Sequence, residues 1–310
     1  METESSVPTG ILDPCILLGG QPRSGTTLLS SILRASIGHF QAYELHIRKP
    51  SFLVGLNGRY TRNIFKELGL TFEEYDKIAN SLDKSKMNLG AWVGPKEEVS
   101  AEALSGKETQ HFENELIARG HLVTLLMRRV AQLNQDHNWG FKILGDIIYA
   151  DKYSQVWPSA IFILMVRDPR DQALSVMKLN EQRLIRGQQN FYDDYAAVAS
   201  GWKETVQEGM RVLTTRRLNH IVVRYEDLVT QPKAELYRLS KALDLDLMEG
   251  LKFYNKDFIE SHTQRFKHHR NLKNPINTKS VDKWRKEMSK NELKVFEDLA
   301  GDVMAEFGYL

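Results

Sequence analysis

The sequence predicts an α/β protein whose mostly parallel central sheet is flanked by helices. Three observations predict it. Short apolar runs alternate along the chain with longer stretches of helical periodicity, the pattern of strands joined by crossover helices. One run, Ala160-Ile-Phe-Ile-Leu-Met-Val166, is apolar without alternation, as a strand covered on both faces must be. A glycine-rich turn, Gly19-Gly20 onward, follows the first apolar run and opens a helix.

Residues 1–11 are polar and acidic and read as a flexible tail, leaving 12–308 as a single domain. Cys15-Ile-Leu-Leu18, bounded by Pro14 and Gly19, predicts a buried strand. Leu28, Leu29, Ile32 and Leu33 recur at helical spacing and predict a helix from Gly25 to about Ile37, stopped by Gly38. Residues 50–135 change character: charged, interrupted by glycines, with a capping-box pattern at Thr71–Glu74 and helical spacing over Gln110–Leu133. This stretch reads as a helical insertion that shapes an acceptor cleft. The sheet pattern resumes with strands at Trp139–Leu144, Ala160–Val166 and Ile221–Tyr225. Helices are predicted from Pro169, over Tyr192–Arg216, over 233–243 and over Asn291–Phe307.

Bulk properties narrow the function. A chain of 310 residues carrying 42 basic and 40 acidic side chains has no global field for nucleic acid or an anionic membrane, so any anion binding is local. The one cysteine, Cys15, excludes an intrachain disulfide framework and reads as a core thiol. No window approaches a membrane span, and the N-terminus lacks the basic and apolar blocks of a signal peptide; the expected location is cytoplasmic. His39, His111 and His121 show no metal-ligand spacing and read as surface or packing residues, and Trp139, Trp157, Trp202 and Trp284 read as core, with Trp284, beside the basic C-terminal stretch, the exception that a ligand-stacking role would select.

Two constellations carry chemistry. Gly20-Gln-Pro-Arg-Ser-Gly-Thr-Thr27 lies between a strand and a helix, where backbone amides and the helix dipole converge on an anion. Against the Walker pattern, Gly20, Gly25 and Thr27 fit but Thr26 replaces the lysine, and the cation has moved to Arg23. Val166-Arg-Asp-Pro-Arg-Asp171 closes the longest apolar strand. Asp168 and Pro169 suit the N-cap and first helical position, and Asp168, Arg170 and Asp171 can form a surface ion pair. Arg167 falls at the carboxyl end of the strand, where ligands bind in open α/β sheets, and Ser175 lies two helical turns beyond Asp168. Arg167 and Ser175 can converge on one anion.

These residues resemble the sulfotransferase superfamily. Pro22-Arg-Ser-Gly-Thr-Thr27 is similar to its 5′-phosphosulfate loop and Val166-Arg-Asp-Pro-Arg-Asp-Gln-Ala-Leu-Ser175 to its 3′-phosphate motif. Tyr225-Glu-Asp-Leu228 and Ser280-Val-Asp-Lys-Trp-Arg285 resemble further segments, so the likeness covers about 12–46 and 139–308. It implies a P-loop-like three-layer fold, a 3′-phosphoadenosine-5′-phosphosulfate donor and no metal. It assigns Arg23, Ser24, Gly25, Thr26 and Thr27 to the 5′-phosphosulfate, Arg167 and Ser175 to the 3′-phosphate, and Lys279, Lys283 or Arg285 to further donor contacts. The form of the loop is closest to the tyrosylprotein and bacterial branches. In the tyrosylprotein branch a glutamate follows the loop arginine by about 21 residues, which here selects Glu44 as general base. Its setting, Ala42-Tyr-Glu-Leu-His46, departs from the Gly-Glu-Glu-Thr type of those enzymes. The expected acceptor is therefore a hydroxyl, or less readily an amine, of a small molecule or glycan. His46 and His269 are rival bases. The competing readings are a P-loop phosphotransferase or kinase, which would need a Walker lysine and a metal carboxylate, and a non-catalytic nucleotide-binding module.

Overall fold

The computed structural model describes residues 15–44, 120, 123–124, 127–128, 130–185, 187–254 and 274–310, with Tyr43 and Glu44 described by backbone alone. The strands are β1 (Cys15–Gly19), β2 (His39–Glu44), β3 (Asn138–Leu144), β4 (Ile161–Val166) and β5 (His220–Arg224). They form one sheet in the order β2-β3-β1-β4-β5, with every pairing parallel. The helices named below are α1 (Thr26–Arg34), α2 (Ala150–Val156), α3 (Pro169–Leu184), α4 (Tyr195–Thr215), α5 (Tyr225–Thr230), α6 (Pro232–Leu243), α7 (Leu247–Phe253), α8 (Trp284–Glu287) and α9 (Lys290–Glu306).

Alternation along the strands divides the core in two. Cys15 and Leu17 of β1, with Trp139, Phe141, Phe162 and Leu164, pack under α2, α3, α4 and α9. Ile16 and Leu18, with Ile163 and Val223, pack under α1, α6 and α7. Both faces of the sheet are thus dry, which is why β4 needs six consecutive apolar residues, all buried. Each such side chain contributes roughly 1.5–3 kcal/mol by burial. Trp157 closes the first layer edge-on against Trp139 and Phe141. Cys15 and the four tryptophans named above are buried, as the sequence predicts.

The predicted elements are present with small shifts. Helix α1 ends at Arg34, not Ile37, because the chain must turn through Gly38 at φ 78° to enter β2, a strand that hydrophobic spacing did not signal. His39 lies in that strand and is buried among packing residues. The described residues between 120 and 133 are helical, while Thr71–Glu74 lies outside the described residues.

Topology fixes where a ligand can sit. β1 feeds α1 in the second layer, and β4 feeds α3 in the first. Adjacent strands that send their helices to opposite faces leave a crevice at their carboxyl ends, and here that crevice lies between β1 and β4. Gly20 and Arg167 immediately follow those two strands.

Candidate active site

The loop from Gly20 to Gly25 is held by its backbone. Gly20 donates to Leu144 O at 3.0 Å, and Ser24 N donates to Gln21 O at 3.2 Å. Gly20 has φ +131°, and a Cβ there would lie 2.4 Å from Met165 O, so the loop rests directly on the end of β4. Arg23 adopts a left-handed φ of 74°. Among the described residues no side chain caps α1 at Gly25. The unpaired amides of its first turn therefore give the loop a positive end.

The two sequence motifs meet at Arg23. Its Nε donates to Ser175 Oγ at 3.0 Å, while its carbonyl accepts from Arg167 Nη1 at 2.9 Å. Arg167 Nη2 donates to Ser280 O at 2.7 Å, and its guanidinium stacks 4.4 Å from the centroid of Tyr225. Arg167 is only 6% exposed. The structure thus brings Arg23, Ser24, Gly25, Thr26, Thr27, Arg167 and Ser175 to one crevice, with Ser175 joined to Arg167 through Arg23. The segment containing Lys279 passes beside it at Ser280, but Lys279 itself is exposed.

A third cation comes from β3. Lys142 is 1% exposed and its Nζ donates to Thr27 Oγ1 at 3.3 Å. Sequence reasoning missed it. The available signal was a charge inside the apolar run Trp139–Leu144, a costly place for an ammonium without a polar purpose. Thr26 stands where a Walker lysine would, and Lys142 brings an ammonium to the adjacent threonine from the sheet instead. Glu44 closes β2 with its Cα registered against Lys142. His46, His268 and His269 lie outside the described residues.

A second network supports Arg167 from behind. Asp168 caps α3 by accepting from Arg170 N at 2.9 Å, as predicted. The ion pair of Asp168 with Arg170, 2.7 Å, is buried and not a surface pair as the sequence suggested, because Trp284 covers Arg170 at 3.7 Å. Asp171 is not part of that pair; it accepts from Trp284 N, and burial pushes its carboxyl up. Glu226 accepts from Asp168 N at 3.0 Å and from the Tyr309 hydroxyl at 2.9 Å. Burial pushes the Glu226 carboxyl up as well. The Tyr225-Glu226-Asp227 segment, which opens α5 directly after β5, therefore also braces the turn that carries Arg167.

No cluster of His, Cys, Asp and Glu among the described residues could hold a metal ion, and no described helix is long and apolar enough to cross a membrane.

A glycine loop at a helix N-terminus, with Arg23, Lys142 and Arg167 gathered at a topological switch point, defines a P-loop-like α/β protein with a cationic crevice. The chain belongs to the sulfotransferase family, whose model matches residues 14–249. It is 26% identical over 289 residues to a Caenorhabditis briggsae protein described as "Putative protein-tyrosine sulfotransferase", covering 92% of this chain and 85% of that one. The sulfotransferase domain from the curacin biosynthetic pathway shares the fold, with TM-score 0.61, 17% identity and coverage of 96% of this chain and 98% of that chain. Sulfotransferase STF9 from Mycobacterium avium is similar at TM-score 0.50 and 16% identity, over 97% of this chain and 78% of its own. None of these likenesses supports the kinase alternative.

Proposed function

We propose that this protein transfers a sulfuryl group from 3′-phosphoadenosine-5′-phosphosulfate to an acceptor hydroxyl, with 12–308 acting as one catalytic domain. The observation that carries the reading is the convergence of Arg23, Lys142 and Arg167 on the loop at the N-terminus of α1. Residues Arg23 to Thr27 would hold the 5′-phosphosulfate through backbone amides, hydroxyls and one guanidinium. Arg167 and Ser175 would hold the 3′-phosphate. The chemistry balances simply. The acceptor oxygen attacks sulfur in line, the bond from sulfur to the bridging phosphate oxygen breaks, and the acceptor proton passes to Glu44. The products are a sulfate ester and 3′-phosphoadenosine-5′-phosphate. Arg23 and Lys142 would stabilise the charge that develops on the departing phosphate, electrostatically and without reorganisation. The register of Glu44 beside Lys142 supports a base close to that charge.

The Caenorhabditis likeness puts a tyrosyl hydroxyl among the acceptors to be tried, beside small molecules and glycans. The test is calorimetric titration of 3′-phosphoadenosine-5′-phosphate in the presence of chelator, on wild type and Arg167→Ala, followed by acceptor screening with the labelled donor. Metal-free micromolar binding that Arg167→Ala weakens supports the donor site. Absence of binding, or binding only with magnesium, refutes it. Turnover lost in Glu44→Gln supports the base; undiminished turnover refutes it.

A further inference from the structure

Three polar side chains around the loop, two of them buried and one half-buried, are unused by the reaction above. Gln172 of α3 is 0% exposed and Gln21 of the loop 1%. The Gln172 amide nitrogen donates to Gln21 Oε1 at 2.5 Å and to Pro22 O at 2.8 Å. Gln21 Nε2 donates in turn to the Tyr192 hydroxyl at 2.9 Å. Tyr192 is itself tied down, since Asn180 Nδ2 donates to Tyr192 O at 2.6 Å and Phe191 N donates to Asn180 Oδ1 at 2.8 Å. A Cβ on Gly201 would meet both Gln21 and Tyr192 within about 3 Å, so the relay is packed from the α4 side too.

From this geometry we infer that Gln172 is a positioning residue for Arg23. Positions 172, 175 and 180 form one broad stripe, about 140° wide, on α3. The stripe holds the loop carbonyl before Arg23 through Gln172, the Arg23 guanidinium through Ser175, and the 191–192 backbone through Asn180. Arg23 needs such fixing: its φ of 74° is one that an arginine rarely adopts, and nothing in its own side chain favours it. Clamping the carbonyl of Pro22 fixes the peptide plane that enters Arg23. Both bonds come from one amide nitrogen, so a side chain with only acceptors cannot replace it. Gln172 touches neither donor nor acceptor in this scheme. It acts through Arg23, and the inference rests on the donor reading above.

The measurement is calorimetric titration of 3′-phosphoadenosine-5′-phosphate and, separately, adenosine 3′-monophosphate. The second ligand lacks the 5′ group and so engages the 3′ site alone. Gln172→Met keeps the volume and removes the amide. It is expected to weaken the bisphosphate about tenfold, the equivalent of about 1.4 kcal/mol, and to leave the monophosphate unchanged. Tyr192→Phe, at the half-buried far end of the relay, is expected to act in the same direction by about two- to threefold, and it carries the test if Gln172→Met does not fold. Unchanged bisphosphate affinity in these variants, or equal weakening of both ligands, overturns the inference and leaves the donor site standing. A wild type that does not bind the bisphosphate overturns both.

Discussion

Gly25 is the point where the loop, α1 and the Arg167 platform press on one another, and Gly25→Ala isolates that contact. The backbone there has φ +95°, outside the range that alanine adopts without strain. The left-handed conformation costs a residue with a Cβ about 1–2 kcal/mol. The added carbon would also lie 2.4 Å from Tyr225 Cδ2 and 3.1 Å from Met165 Cε. The methionine can swing away. The tyrosine cannot, because its ring is the surface on which Arg167 stacks at 4.4 Å. Overpacking of this kind costs about 1–3 kcal/mol. The sum is about 2–5 kcal/mol. At about 2–4 °C per kcal/mol for a domain approaching this size, the melting temperature should fall by roughly 4–20 °C.

The two contributions separate in a double-mutant cycle read by chemical denaturation. In a Tyr225→Ala background the ring carbons that the new Cβ would meet are gone, so the steric part largely disappears and the backbone part remains. Gly25→Ala should then cost only about 1–2 kcal/mol, a coupling of about 1–3 kcal/mol between the two sites. Zero coupling, or a Gly25→Ala protein as stable as wild type, would falsify the account of the loop as a structure wedged between β4 and the Tyr225 ring.

Two further outcomes follow from buried charge. Lys142→Met should lower kcat about 10²–10³-fold, the usual effect of removing one preorganised donor to a developing anion; single-turnover sulfuryl transfer at saturating donor measures it, and an unchanged rate would refute the role given to Lys142. Burial in β2 lowers His39 to about 4 from an ordinary 6.5, with Gln41 Oε1 its side-chain partner at 2.8 Å. The folded state therefore holds this imidazole neutral. Its contribution is intact above pH 6.5 and is lost progressively as the pH falls toward 4, by about 3 kcal/mol at the lower limit. Thermal melts of wild type and His39→Gln between pH 7.5 and 4.5 should converge as the medium becomes acidic; parallel curves would remove His39 from the acid response.

Much of this arrangement was legible in the sequence because local chemistry dictated it. β4 could be read from its unbroken apolar run, and the start of α3 from Asp168 and Pro169, since an N-cap acceptor and a fixed φ act within one turn. The loop could be read because glycine, arginine and threonines stand between a strand and a helix. What stayed hidden depends on distant contacts. β2 is a short edge strand containing His39 and Gln41, and its membership in the sheet comes from pairing with β3, some hundred residues on. Lys142 gains its meaning only when β3 settles beside β1 and brings the ammonium to Thr27. The Asp168–Arg170 pair looked superficial because Trp284, which covers it, arrives from the far end of the chain.

On the proposed function, the distribution of cations makes up for the missing Walker lysine. A loop lysine supplies one flexible charge from the same segment that wraps the phosphates. Here the charges come from three separate supports: Arg23 from the loop, Arg167 from the end of β4 and Lys142 from the middle of β3. Each is fixed by a different part of the fold, Arg23 by Ser175, Arg167 by the carbonyls of Arg23 and Ser280, and Lys142 by burial beside Thr27. Because Arg167 grips the carbonyl of Arg23, two of these supports share one peptide. Losses at Arg23 and Arg167 should therefore be less than additive in donor binding, while a loss at Lys142 should add to either. That asymmetry separates an interlocked pair of motifs from a set of independent positive charges, which would give additive losses throughout.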